Sequence, residues 1–255
     1  HVRSRRQRQM CIRDRSSTVH LSRFICILKN KETKRNSVRK NMKGYLEDLY
    51  ILAFDHRGTI TKGLLGVEGR QPTEEEANKV SEMKQIIFDG FLKAKESGIT
   101  GGEPAILVDE TFGIEIQQKA KEMNIKFAAP VEKSGQKVFD FEYGNQYGEK
   151  INEVGADFVK ILVRWNPDDD EGTRETQGNR VKELSDWLSK NDKKFLLEFL
   201  VPATEEQLAS VENDQARYDS EIRPKLAVKV VQEMRERGAD PDLSLIHISE
   251  PTRRT

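Results

Sequence analysis

Apolar and polar positions along this chain follow two alternating periods. Short apolar runs of strand length recur at 49–55, 104–109, 125–130, 157–164 and 194–201. Between them apolar residues return every three or four positions, the spacing of a helix with one buried face. The first such helix starts near Thr73, where a capping hydroxyl precedes Glu74, Glu75 and Glu76, and its stripe is Val80, Met83, Ile87, Phe91 and Ala94. Further helices are predicted over 113–123, with Ile116, Ala120 and Met123 on one face, over 142–153, and over 174–190, with Val181, Leu184, Trp187 and Leu188 inward. A helix start at Thr204-Glu205-Glu206 and a helix over 224–237, carrying Leu226, Val230 and Met234, follow the fifth strand. The stretch after the first strand reads as a Gly-rich loop.

Five successive strand–helix units imply a parallel sheet with helical crossovers. A doubly wound sheet would carry a Gly-rich phosphate loop between a strand and its helix, and no G-x-G-x-x-G or Walker-type run is present; Gly98-Ile99-Thr100-Gly101-Gly102 precedes a strand. The alternative is an α/β (β/α)8 TIM barrel, in which functional groups come from the C-terminal ends of several strands. Charge sits at those ends here. Asp55 and Arg57 close the first run, Asp109 and Glu110 close the second, Lys160 and Arg164 lie in the fourth, and Glu198 lies inside the fifth. The reading is a TIM barrel truncated after about five β/α units.

These charges are the candidate chemistry, because a buried charge is costly unless paired or used. Lys160 and Arg164 share a strand face with Leu162. In an apolar lumen the lysine amine is pushed toward its neutral, nucleophilic form, which forms Schiff bases with carbonyl compounds; alternatively a buried carboxylate such as Glu198 neutralises it. Glu198, flanked on its face by Leu196 and Leu200, is a candidate proton carrier or a partner for those cations. Asp55 is placed to hydrogen-bond a substrate hydroxyl or orient the lysine. Arg57 has the planar fork that suits phosphate or carboxylate. Asp109, Arg164 and the loop pair Glu132 and Lys133 complete the candidate substrate-binding groups. With four histidines and two cysteines in the whole chain, and neither cysteine in the predicted core, no metal site is expected. The run Asp168-Asp169-Asp170-Glu171 reads as a solvated loop and helix start.

Charge separates the chain into unlike parts. Residues 1–43 hold 14 Lys and Arg against 2 acidic residues, whereas 44–242 hold 27 against 40, an excess of 13 negative charges. The core is therefore a poor nucleic-acid binder, and the basic arm has almost no aromatic residues to stack on bases. Cys11 and Cys26 both lie in the arm, leaving the core no disulfide framework. No apolar run reaches the length of a membrane span, and Phe24-Ile25-Cys26-Ile27-Leu28 is too short and too far in for a secretory signal. A cytoplasmic protein without membrane association is expected. The two ends, 1–41 and 244–255, read as translated sequencing-adapter artefacts, with 16–41 the less certain stretch, and the domain is expected over 42–243.

Five ordered segments carry a family resemblance. Leu52-Ala53-Phe54-Asp55-His56-Arg57-Gly58, Ile106-Leu107-Val108-Asp109-Glu110-Thr111-Phe112-Gly113, Val131-Glu132-Lys133-Ser134-Gly135, Val159-Lys160-Ile161-Leu162-Val163 and Phe195-Leu196-Leu197-Glu198-Phe199 resemble, in order, strand segments of the tagatose-1,6-bisphosphate aldolase family. Over 44–242 the chain is more similar still to an aldolase-like domain, domain of unknown function 2090, found alone or fused to 5-dehydro-2-deoxygluconokinases of inositol catabolism. The resemblance implies a class I aldolase: a metal-independent, cofactor-free lyase that cleaves a sugar phosphate through a lysine Schiff base, with Asp55, Lys160 and Glu198 assisting proton transfer. In that family the Schiff-base lysine lies on a sixth strand, after the segment matching Gly238-Ala239-Asp240-Pro241-Asp242. Ser244-Leu245-Ile246-His247-Ile248 stands there instead, so the expectation is an incomplete, inactive piece of such an enzyme, whose full-length form is open to homo-oligomerisation. The competing expectation is a non-catalytic sugar-phosphate-binding or regulatory module associated with a carbohydrate kinase.

Overall fold

The computed structural model describes residues 23–25, 44–45, 48–99 and 102–246. Seven strands form one sheet in sequence order. The six from β2 onward are parallel and curl into a half-barrel. They are β2 (Leu49–Ala53), β3 (Glu103–Leu107), β4 (Lys126–Pro130), β5 (Phe158–Arg164), β6 (Lys194–Leu200) and β7 (Leu243–Ile246). β1 (Arg23–Ile25) runs antiparallel along the free side of β2. The terminal segments set apart above lie outside the described residues, except for β1 and the end of β7. Leu243–Ile246 thus adds a sixth parallel strand beyond the five predicted, paired with β6 from Leu196↔Leu243 to Phe199↔Ile246.

Helices fill the crossovers: α1 (Gly58–Leu65), α2 (Glu74–Glu96), α3 (Glu110–Glu122), α4 (Tyr147–Val154), α5 (Glu171–Lys190) and α6 (Glu205–Ser210). The last connection runs from α7 (Gln215–Arg217) through a π turn over Tyr218–Ile222 into α8 (Arg223–Glu236). α2 starts at the predicted cap: Thr73 and Glu76 form a reciprocal capping box. α1 is a helix where a loop was predicted; its glycines and threonines give it little propensity, and burial of Ile60 against Val80 and Phe112 holds it. The buried stripe of α2 is Val80, Lys84, Phe88 and Phe91, shifted by one position in its middle from the predicted one. α3 begins three residues earlier than predicted, because Asp109 accepts a hydrogen bond from Phe112 N at 2.9 Å and caps it.

Strand parity sorts the core into two layers. Leu49, Ile51, Ala53, Ala105, Leu107, Ala128, Phe158, Leu196, Leu243 and Leu245 pack together on the concave face. The alternate residues, among them Ile106, Phe127, Val159, Ile161 and Leu197, face the helices. At the C-terminal edge the ladder ends and leaves buried carbonyls, and side chains donate to several of them. Gln117 Nε2 reaches Val108 O at 3.1 Å, Gln177 Nε2 reaches Arg164 O at 3.0 Å, and the Tyr218 hydroxyl reaches Val201 O at 3.0 Å. Lys84 Nζ does the same for Phe54 O at 2.8 Å.

Candidate functional site

Continuing the concave parity of the strands by one step brings four charged side chains to the C-terminal edge. Asp55 follows Ile51 and Ala53, Glu132 follows Ala128 and Pro130, Lys160 follows Phe158, and Glu198 follows Leu196. The register seats Pro130 beside Lys160 and Leu162 beside Glu198, so three carboxylates reach one ammonium from different strand ends. Lys160 Nζ lies 2.8 Å from Asp55 Oδ2, 3.1 Å from Glu132 Oε1 and 3.0 Å from Glu198 Oε2. The lysine side chain is 2% exposed. Arg57 enters from the loop after β2 and donates through Nη2 to the same Glu132 oxygen at 3.1 Å, while its Nη1 reaches Glu142 at 3.5 Å.

The electrostatics of this cluster bear on the two readings of Lys160 given above. Burial alone would push the Lys160 amine down toward its neutral form, but the charges of Asp55, Glu132 and Glu198 outweigh it and hold its pKa well above the ordinary lysine value. Three carboxylates around it thus favour the charged form of Lys160, the reading in which buried carboxylates neutralise the lysine. The proton-carrying tendency falls on Glu132. Burial raises its pKa against the opposing pull of Lys160 and Arg57, and its Oε2 is buried with no hydrogen-bond partner. A carboxyl with one oxygen tied to cations and the other unengaged can present either an O–H or a lone pair to a bound molecule.

The other predicted residues are placed differently. Arg164 shares the lumen parity, but its Nη1 donates to Gln136 O at 2.8 Å and ties down the loop after β4. Lys133 is exposed on that same loop. The loop passes the start of α1, where a Cβ on Gly58 would sit 3.9 Å from Ser134 Oγ. Asp109 does not join the Lys160 cluster. It is buried, capping α3 with one oxygen and pairing with Lys84 through the other. Lys84 is the charged residue that the strand-end pattern overlooks; its signal was its position midway between Val80 and Phe88 on an otherwise apolar stripe.

Among the described residues no three His, Cys, Asp or Glu side chains converge as metal ligands; the three strand-end carboxylates converge on an ammonium. A separate shallow surface cleft, lined by Gln117, Pro130, Tyr143, Lys150 and Val154 among others, includes none of the Lys160 cluster. The chemically equipped site is the charge cluster. Among the described residues no helix is long and apolar enough to cross a membrane.

A family model described as an uncharacterized protein conserved in bacteria (DUF2090) matches residues 29–234. The chain belongs to the DUF2090 family. All four strand ends that build the cluster fall within the matched segment. No curated protein matches the chain.

Proposed function

We propose that this DUF2090 domain is an aldolase-like, metal-independent protein that binds a sugar phosphate and moves protons on its carbonyl end. One observation carries the reading: carboxylates from three strand ends meet one buried ammonium at the C-terminal edge of a curled parallel sheet, where barrel enzymes keep their chemistry. The accompanying fold reading is a (β/α)8-type barrel of which the six parallel strands are a part. Retro-aldol cleavage breaks a carbon–carbon bond, removes a proton from the adjacent hydroxyl and returns one to the carbon left behind. Glu132 suits that traffic, since its raised pKa brings it toward the range where a carboxyl both takes and gives protons. Asp55 and Glu198 hold Lys160 in place. Because the cluster has more carboxylates than cations, the hydroxyl and carbonyl groups of the substrate belong at its centre, and its phosphate belongs at the rim with Lys133 and Arg57.

A second reading has its own support. Three carboxylates favour the charged form of Lys160 and β7 carries no lysine, so neither offers an amine poised to condense with a ketone. A sugar-phosphate-binding module associated with a carbohydrate kinase needs none. Incubation with dihydroxyacetone phosphate in deuterated water, followed by proton NMR, separates the two. Catalysed exchange at the carbon next to the carbonyl, lost in Glu132→Gln, supports proton-transfer chemistry. Saturable binding without exchange supports the module. Neither binding nor exchange would falsify both. Borohydride trapping read by mass spectrometry then asks whether any lysine forms a Schiff base, and an adduct on Lys160 would contradict its role as a fixed cation.

A further inference from the structure

Among the described residues, the Lys84–Asp109 pair is the one fully buried ion pair that the proposed chemistry does not use. Lys84 is wholly buried on α2, under the Phe112 ring at 5.7 Å. Its ammonium donates to Asp109 and to Phe54 O. The Phe54 carbonyl and the Asp55 N–H belong to one planar peptide unit, so anchoring that oxygen fixes the plane from which Asp55 departs. Asp55 then makes the shortest of the three contacts to Lys160, at 2.8 Å.

A purely architectural explanation is that Lys84 satisfies a strand-end carbonyl. Elsewhere on the same edge, neutral groups do that work: the amides of Gln117 and Gln177 and the hydroxyl of Tyr218. A buried ammonium with its own buried carboxylate is a costlier way to supply one donor. What distinguishes Lys84 is its place beside the charge cluster. Burial pushes the Lys84 amine down, and the carboxylates of Asp109 and, from the cluster, Asp55 oppose that.

We propose that Lys84, with Asp109, is a positioning residue for the site, fixing the Asp55 carboxylate on Lys160 through the Phe54 carbonyl. The idea takes the Lys160 cluster as the functional centre proposed above, but it is tested on the free protein without substrate, so its failure is distinguishable from failure of the aldolase-like reading. The variant is Lys84→Met with Asp109→Asn, which removes both charges while the Asn oxygen keeps the α3 cap. The readout is the ammonium proton signal of Lys160 in nitrogen-15-labelled protein, assigned by its loss in Lys160→Met. Hydrogen exchange of that signal is expected to quicken by about tenfold or more as Asp55 loosens. In a folded double variant, an unchanged Lys160 signal would overturn the proposal, because an architectural pair has no reason to reach that group. If the double variant does not fold, the reverse perturbation decides. Asp55→Asn leaves the Lys84–Asp109 pair intact, and coupling between sites is reciprocal. The Lys84 nitrogen signal must then move; no movement refutes the link.

Discussion

Replacing Lys160 by Met removes the only charge that three carboxylates share while nearly preserving side-chain volume. Asp55, Glu132 and Glu198 contact the ammonium at 2.8, 3.1 and 3.0 Å, and their side chains are 14%, 9% and 8% exposed. Breaking a buried pair by deleting one partner costs about 3–5 kcal/mol, a large share of a typical domain stability of about 5–15 kcal/mol. Arg57 remains on Glu132, so the lower half of that range is expected at neutral pH. The loss must depend on pH. Burial already raises the Glu132 pKa, and without the ammonium it loses the foremost cation opposing that rise, so the folded variant binds more protons at Glu132 than the unfolded chain. Its stability is then greatest below the unfolded carboxylate range and falls as pH rises, by up to about 1.4 kcal/mol per pH unit for each proton involved. Urea unfolding followed by Trp165 and Trp187 fluorescence at about pH 5 and pH 8 reads both effects. A loss below about 1 kcal/mol, or one of equal size at the two pH values, would refute the picture of an ammonium neutralising buried carboxylates.

Three further outcomes are expected. Glu132→Gln keeps the shape but removes a carboxyl whose pKa burial has raised above the ordinary 4.5; such a group contributes stability below its unfolded pKa that is lost as pH rises through the folded value, so the variant gains on the native protein in urea melts at pH 8 relative to acid. Tyr218→Phe leaves the buried Val201 carbonyl without its 3.0 Å donor and should cost about 1–3 kcal/mol in the same assay, whereas a change below half a unit would show that water replaces the hydroxyl. Gly113→Ala would press a methyl group into Val108 Cγ2 at the kink of α3, lowering the melting temperature, and Val108→Ala in the same chain should recover part of the loss, a non-additivity that independent sites would not show.

The sequence disclosed the residues whose position follows from strand period. Asp55, Lys160 and Glu198 could be placed on one concave face because alternation over five to seven residues leaves little freedom. Glu132, two residues beyond the end of β4, read only as a loop group beside Lys133, and its sharing between Lys160 and Arg57 was not legible. Asp109 had the right parity and the wrong destination. A carboxylate one residue before a helix answers first to the free N–H groups of that helix, and a strand-end pattern cannot weigh this local claim. Lys84 was passed over for a related reason: its neighbours Glu82 and Gln85 belong to the solvated face of α2, and lysine is ordinarily counted with them. The protonation state of Lys160 depends on how many carboxylates reach it, a count that only the tertiary structure supplies.

The apolar floor of the concave face has a further consequence. Beneath Lys160 lie Phe158, Leu196 and the aliphatic layer, and at the opposite edge Lys194 binds Asp242 at 2.9 Å and the Gly44 carbonyl at 3.2 Å. Among the described residues, the buried side chains of that layer are all apolar and offer no donor or acceptor between Lys160 and Lys194. Arg57 and Glu132 stand on the loops after β2 and β4, so whatever touches those loops would bear directly on proton exchange with the Lys160 cluster.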